Sequence, residues 1–293
     1  MLKNPPHGQT PDRFAHPATE SPYPTCVKCI ITDGTTVREP GRTGSLWKVH
    51  YSVGLPSLAC DFFKLTPAKG VGTGETLVHF PVREGDLLLA DRAYSTARGL
   101  LHVTRAGGEV LVRVNTASLV LRQSDGQPFD KLASLRSLTR TAEVGSWAVQ
   151  AVSKRSASVP GRLCAIRKTR EAIRLAQKKL RRQASRKGSE LRAETLEYAQ
   201  YVIVFTTLAS EEYGARQALD LYRARWQVEL VFKRFKSIAR LGHLPKHDDD
   251  SAQAWLYGKL FVALLVEKLV SHARSFSPWG CDLEPSTSPE RVA

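Results

Sequence analysis

Tyr222-Arg-Ala-Arg-Trp-Gln-Val-Glu-Leu-Val-Phe-Lys-Arg-Phe-Lys236 holds one acid among cations. Read as an α-helix advancing about 100° per residue, it sets Tyr222, Arg225, Glu229 and Lys236 within an arc of roughly 60°, with Lys233 beside them. A carboxylate so placed can meet a divalent metal while its neighbours grip phosphate, because the cations oppose metal capture unless an anionic ligand arrives with it. The same stretch also reads as a solvated helix face with i,i+4 pairs, Arg225 with Glu229 and Glu229 with Lys233.

Working outward, two further acids end short apolar runs. Gly85-Asp-Leu-Leu-Leu-Ala-Asp91-Arg-Ala-Tyr94 reads as a buried central strand closed by Asp91, and Val27-Lys-Cys-Ile-Ile-Thr-Asp33-Gly34 as a second one closed by Asp33. A carboxylate at the C-terminal end of a strand stands at the sheet edge where α/β folds bind ligands. Taken singly, each Asp serves equally well as a helix cap or a turn residue.

The spacing Tyr222-x2-Arg225-x3-Glu229-x6-Lys236, with Asp33 and Asp91 ahead of it, resembles the signature of DDE transposases of the IS-four insertion-sequence group. The resemblance extends over Thr35-Thr-Val-Arg-Glu-Pro-Gly, Gly44-Ser-Leu-Trp-Lys-Val-His-Tyr, Leu58-Ala-Cys-Asp-Phe-Phe-Lys-Leu and His243-Leu-Pro-Lys-His, about residues 26 to 275. It implies an α/β fold, an RNase H-like mixed sheet flanked by helices, with a strand-containing insertion before the last catalytic helix. It further implies that Asp33, Asp91 and Glu229 bind two Mg2+ or Mn2+ ions and cut DNA by in-line attack at phosphorus. By the same resemblance Tyr222, Arg225 and Lys236 hold phosphate near the cut; Lys233, outside the signature, reads either as a helper to them or as a solvent lysine. Tyr201, in Tyr201-Val-Ile-Val-Phe205, takes the place of an aromatic on which a flipped base stacks, although a strand tyrosine is also commonly just packed.

The implied function is that of an insertion-sequence transposase, cleaving and joining strands at transposon ends as a homodimer on double-stranded DNA. Two alternatives stand beside it: a generic RNase H-like nuclease, which needs acids but not this spacing, and a remnant that binds DNA nonspecifically. The second arises because relatives carry a helical domain ahead of the first aspartate, whereas only a short segment precedes Asp33 here.

Composition agrees with a nucleic-acid partner. Lys+Arg 43 against Asp+Glu 28 leaves a formal charge of +15, which calls for a polyanion. No apolar run approaches the roughly 20 residues of a spanning helix, and the N-terminus lacks a signal-peptide core, so a cytoplasmic, nucleoid-associated protein without a membrane partner is expected. Five scattered cysteines argue for a reducing compartment, and the Cys26/Cys29 pair has no second pair to complete a zinc site.

Residues 1–25 read as a disordered lead-in, 26–275 as the catalytic domain with an insertion over about 116–213, and 276–293 as a loose tail. Leu46 to Val53 and Ser57 to Leu65 alternate like antiparallel strands, and Gly70-Val-Gly-Thr-Gly74 reads as a turn. Ser95 is the expected cap of a following helix. A basic helix around Thr169 to Arg182 is either a solvated face or a DNA contact. Asp248-Asp-Asp caps a helix over Ala254 to Val270, a reading preferred to a metal cluster with His243 and His247. Trp147, Trp226 and Trp255 are expected in the core, with Trp226 and Leu230 flanking the acidic face.

Overall fold

The computed structural model describes residues 28–38, 46–70, 72–153, 157–237, 244 and 248–275. The expected lead-in and tail, Cys26, His243 and His247 lie outside the described residues. Five strands come first: β1 (Lys28–Arg38), β2 (Leu46–Gly54), β3 (Ala59–Pro67), β4 (Asp86–Ala90) and, after helix α1 (Ala97–Arg105), β5 (Glu109–Arg113). Four more follow, β6 (Val120–Arg122), β7 (Val144–Val152), β8 (Ser158–Arg167) and β9 (Tyr201–Thr206), interleaved with α2 (Lys131–Arg136), α3 (Arg170–Lys187) and α4 (Ala193–Tyr198). The chain then forms α5 (Ala215–Arg223), α6 (Gln227–Ser237) and α7 (Asp249–Ser275).

All nine strands share one sheet in the order β3-β2-β1-β4-β5-β9-β8-β7-β6. The β1-β4-β5 pairings are parallel and the rest antiparallel, the RNase H-like mixed arrangement. The segment expected as an insertion does not stand apart from the sheet, since β9 pairs directly with β5 and carries β8, β7 and β6 outward. β4 explains its own sequence: every residue from Asp86 to Ala90 is buried, so a central strand covered on both faces is apolar without alternation.

Side chains alternate across the sheet. Ile31, Leu87, Leu89, Leu111 and Val204 share one cluster with residues of α5, α6 and α7. Ile30, Leu88, Ala90, Val112 and Phe205 share the other with Leu100 and Val103 of α1. This parity decides where each candidate site residue points.

Three expectations are corrected. The Tyr222–Lys236 stretch is not one uniform α-helix: Tyr222 closes α5, Ala224–Trp226 wind as a 3-10 turn, and Glu229 lies in the first turn of α6. Backbone angles stay right-handed helical through Arg223, Ala224 and Gln227, so the rod continues while three residues at 3.0 per turn add roughly 60° of rotation. Thr96, not Ser95, caps α1, accepting from the Gly99 amide at 3.2 Å; Ser95 instead closes the 3-10 turn Arg92–Tyr94. Trp226 is 48 % exposed and so is not core, whereas Trp147 and Trp255 are partly buried against the two clusters. The Asp248 cap is found, its Oδ1 accepting from the Ser251 amide at 2.8 Å.

Candidate active site

The last parallel pair between β1 and β4 is Thr32 with Ala90, so Asp33 and Asp91 follow side by side as the next positions of adjacent strands. Both continue the parity of Ile31 and Leu89 and therefore belong to the face that α5 and α6 cover. Glu229 comes to the same face from the first turn of α6. Arg225 joins them. Its Nη1 lies 3.4 Å from Asp33 Oδ2, its Nη2 donates to Glu229 Oε1 at 2.6 Å, and its charge acts on the Tyr222 hydroxyl.

The two carboxylates that Arg225 links differ in environment. Asp33 is only 19 % exposed, and its Oδ1 accepts from the Gly34 amide at 2.8 Å. Burial pushes its carboxyl up to about 6, against the opposing pull of the Gly34 hydrogen bond and Arg225 and with a further push from the charges of Asp91 and Glu75. Glu229 is 62 % exposed, presented to solvent at the rim. Asp91 serves its local fold too, since its Oδ1 caps the 3-10 turn by accepting from the Ala93 amide; cap and site readings of this residue are compatible because one oxygen remains.

Burial raises the Tyr222 hydroxyl to about 12, so it stays a neutral donor and acceptor near neutral pH. Arg113, at the end of β5 and of the same parity as Leu111, is exposed on this face, and its charge reaches both Tyr222 and Lys168. Lys168 is drawn down to about 8 by burial and then by Arg113, with its Nζ donating to the Ala199 carbonyl at 2.7 Å. Sequence reading missed Arg113. The signal was available, since it ends a buried strand neighbouring the one that Asp91 ends.

Lys233 is exposed on α6, and of Lys236 only the backbone course is described. Tyr201 goes elsewhere: with Ile203 and Phe205 it lies in the cluster on the α1 side, 4 % exposed, with the Arg167 guanidinium 5.9 Å from its ring centroid. Val204 is the β9 residue in the cluster that shares the acids' face. A base-stacking role for Tyr201 is thus replaced by a packing role, since one step along a strand reverses the face.

Among the described residues no three His, Cys, Asp or Glu side chains are grouped closely enough to hold a metal as they stand. The donor set is nevertheless suited in kind. Three carboxylates offer oxygen ligands, the push of the Asp91 charge on the Asp33 carboxyl is what a divalent cation relieves, and Arg225 supplies the positive charge between Asp33 and Glu229.

Comparison with known proteins identifies the family of the chain. The model of a transposase DDE domain matches residues 66–265, a span that includes Asp91 and Glu229 and begins after Asp33. The putative transposase InsL for insertion sequence element IS186A of Escherichia coli (strain K12) is 31 % identical over 257 residues, covering 85 % of this chain and 67 % of that one. The transposase for insertion sequence element IS421 of Escherichia coli matches with the same identity and coverage. Among solved structures, the catalytic domain of human Endonuclease V aligns at 12 % identity over 70 % of this chain and 85 % of that one, with a TM-score of 0.27, too low to carry an argument.

Proposed function

Because the chain belongs to the DDE transposase family, we propose that it cleaves and transfers DNA strands at the ends of an insertion sequence, by the route of the IS-four group, with Asp33, Asp91 and Glu229 as its acids. The observation that carries this is the meeting of residues from β1, β4 and α6 at one place: the Asp91 charge beside Asp33, and Arg225 joining Asp33 to Glu229. The pairing of β1 with β4 sets Asp33 beside Asp91, and Arg225 brings Glu229 of α6 to Asp33.

Two Mg2+ or Mn2+ ions, when bound, supply the charge that activates an attacking oxygen and stabilises a leaving one. The chain's own part is to position and to balance charge. Asp33 and Asp91 present carboxylates fixed by strand ends, one anchored by the Gly34 amide and the other by the Ala93 amide. Arg225 releases its acids as phosphate enters, exchanging carboxylate for phosphodiester, to which its planar fork is equally suited. Tyr222 donates from a hydroxyl that stays protonated, and Arg113 faces the same place from β5. Lys233, exposed on α6, adds a further cation, and the phosphate-holding role that the family resemblance gives Lys236 is part of the same reading.

DNA contact beyond the acids has a candidate path. A groove of about 1280 Å³ between α1 and the outer strands is lined by Arg98, Arg105 and Arg122 with Thr96, Gln150 and Ser158, and among the described residues no carboxylate lines it. α3 adds Arg170, Arg174, Lys178, Lys179, Arg181 and Arg182 on a helix with no buried residue. Self-association has a surface on α7, where Tyr257, Phe261, Val262, Leu265, Val266 and Leu269 are each at least 40 % exposed among the described residues. No helix among the described residues is long and apolar enough to cross a membrane.

The test is direct. Purified protein is incubated with a duplex carrying an insertion-sequence end and Mg2+ or Mn2+, and nicks are mapped. Cutting that depends on metal and vanishes in Asp91→Ala supports the reading; cutting that survives Asp91→Ala removes it.

A further inference from the structure

Helix α7 carries more apolar surface than the described residues cover. Its inner side is anchored by Ala252, Leu256 and Leu260, all fully buried in the cluster on the acids' face of the sheet. Beyond Leu260 no described residue of α7 is buried, yet the helix stays largely apolar as far as Leu269. The outer side is not polar either. Every exposed position from Ala254 to Val266 is uncharged, and Phe261 alone is 65 % exposed. A surface helix ordinarily turns charge to water, whereas one that is apolar nearly all round belongs between two covering layers.

Gly258 is an independent sign of a second layer. It stands in the middle of this exposed face within the helix, and a Cβ there would meet nothing within 4 Å. Glycine weakens a helix relative to alanine, so nothing in the single chain favours it at this position. The close approach of a surface from outside does favour it.

The relief of the face indicates which surface. Residues four apart line up as ridges on a helix. Tyr257, Phe261 and Leu265 make a tall ridge, and Ala254, Gly258 and Val262 make a low one beside it. A tall ridge flanked by a low one is its own complement: about a two-fold axis, the tall ridge of each copy lies over the low ridge of the other. Packing of such i±4n ridges is the commonest class of helix pairing, at an interaxial angle of about −50°. No charge lines the face between Ala254 and Val266, so a partner recognised through ion pairs finds nothing to hold there, while a second copy brings the same uncharged relief. Area agrees with this. The six large side chains of the face, each 40–65 % exposed, amount to about 600 Å² per copy. A pair then covers about 1,200 Å², the lower end of specific interfaces.

We propose that α7 pairs with α7 of a second copy, forming a two-fold dimer without DNA, in which Phe261 of each copy seats over the partner's Gly258. The pairing needs neither metal nor DNA, so it stands independently of the reading of the acids.

The experiment is sedimentation equilibrium of the full chain, free of DNA and metal, at about 1–100 µM, with melting temperatures taken on protein dilute enough to be monomeric. The wild type is expected to show association that closes at two copies, with dissociation at about micromolar concentration. Phe261→Glu should be monomeric, and its melting temperature when dilute should match the wild type. Gly258→Ala separates the proposal from general adhesiveness. The added methyl should weaken the dimer by about tenfold, as an overpacked contact, and raise the melting temperature of the dilute chain, because alanine favours the helix. A merely apolar patch would keep or tighten its association in that variant. A chain that is monomeric throughout overturns the inference: a lowered melting temperature of Phe261→Glu would then assign the face to another segment of the same chain, and an unchanged one to a different protein. Dimers that survive Phe261→Glu or are unaffected by Gly258→Ala, and assemblies that grow past two copies, overturn it as well.

Discussion

Arg225 and Asp33 stand 192 positions apart in the chain and 3.4 Å apart in the fold, and the same guanidinium reaches Glu229 at 2.6 Å. One cation thus occupies, in the absence of DNA, the charge-balancing place between two acids of the site. Arg225→Ala is expected to shift two affinities in opposite directions. Mn2+ should bind the free protein more tightly, by roughly tenfold, because a unit charge beside the acids is gone. DNA should bind more weakly, with the slope of log affinity against log salt shallower by about 0.9 for one phosphate contact. Calorimetry and fluorescence anisotropy at several salt concentrations read the two effects; a fall in Mn2+ affinity would show that Arg225 organises the acids rather than competing for them.

Asp33 makes stability depend on pH in a defined direction. Its carboxyl titrates from the ordinary 3.8 in the unfolded chain and from about 6 in the fold. Between these values the folded state holds the extra proton, so stability falls as pH rises from about 4 to about 6. Asp33→Asn should abolish this slope and leave the protein more stable at pH 7, by up to about 3 kcal/mol. Denaturation midpoints at pH 4 and pH 7 decide it. Parallel behaviour of variant and wild type would place the carboxyl at its ordinary value.

Gly34 is expected to tolerate no side chain while Tyr94 keeps its hydroxyl. The 2.9 Å approach between an added Cβ and the Tyr94 oxygen predicts that Gly34→Ala costs about 1–3 kcal/mol as an overpacking change. Because the clash is with one oxygen atom, Tyr94→Phe should recover most of that loss in a double-mutant cycle. Additive costs would place the strain in the β1 backbone instead.

The arginine groove predicts a separable part of DNA binding. Arg98 and Arg105 lie seven residues apart on α1, about 10.5 Å along the axis, which matches the rise of about three phosphates on one strand. Arg98→Ala/Arg105→Ala is expected to lower the salt slope by about 1.8 on a duplex of mixed sequence, with Mn2+ uptake unchanged. Anisotropy titrations with an unaltered slope would leave the groove without a role on DNA.

Much of the fold was legible because its strongest signals are local. The Asp86–Ala90 run could only be a strand covered on both sides, and the acids at its end and beside it follow from strand termini. What escaped depended on parity and pairing. Tyr201 and Val202 look interchangeable in sequence, and only the register of β9 against β5 and β8 sends Tyr201 to the α1 side. Its replacement by Ala should accordingly cost stability, about 3–5 kcal/mol as for a large core aromatic, rather than DNA affinity. Trp226 was misjudged because aromatics are usually covered, whereas the 3-10 turn rotates it to 48 % exposure.

The sheet order has a consequence for how the molecule comes to exist. β5 exposes an unpaired edge until β9 arrives, and the hydrogen bonds between them join residues such as Val110 and Thr206 that are 96 positions apart. Such long-range closure makes folding slow and leaves an adhesive strand edge open meanwhile. On a ribosome the order is stricter still. Asp33 and Asp91 emerge early, while Arg225 and Glu229 follow only after β9 has been made, so a partly synthesised chain holds two acids without their partners. The cluster of Asp33, Arg225 and Glu229 is therefore assembled only once β9 has closed the sheet and α5 and α6 have followed it.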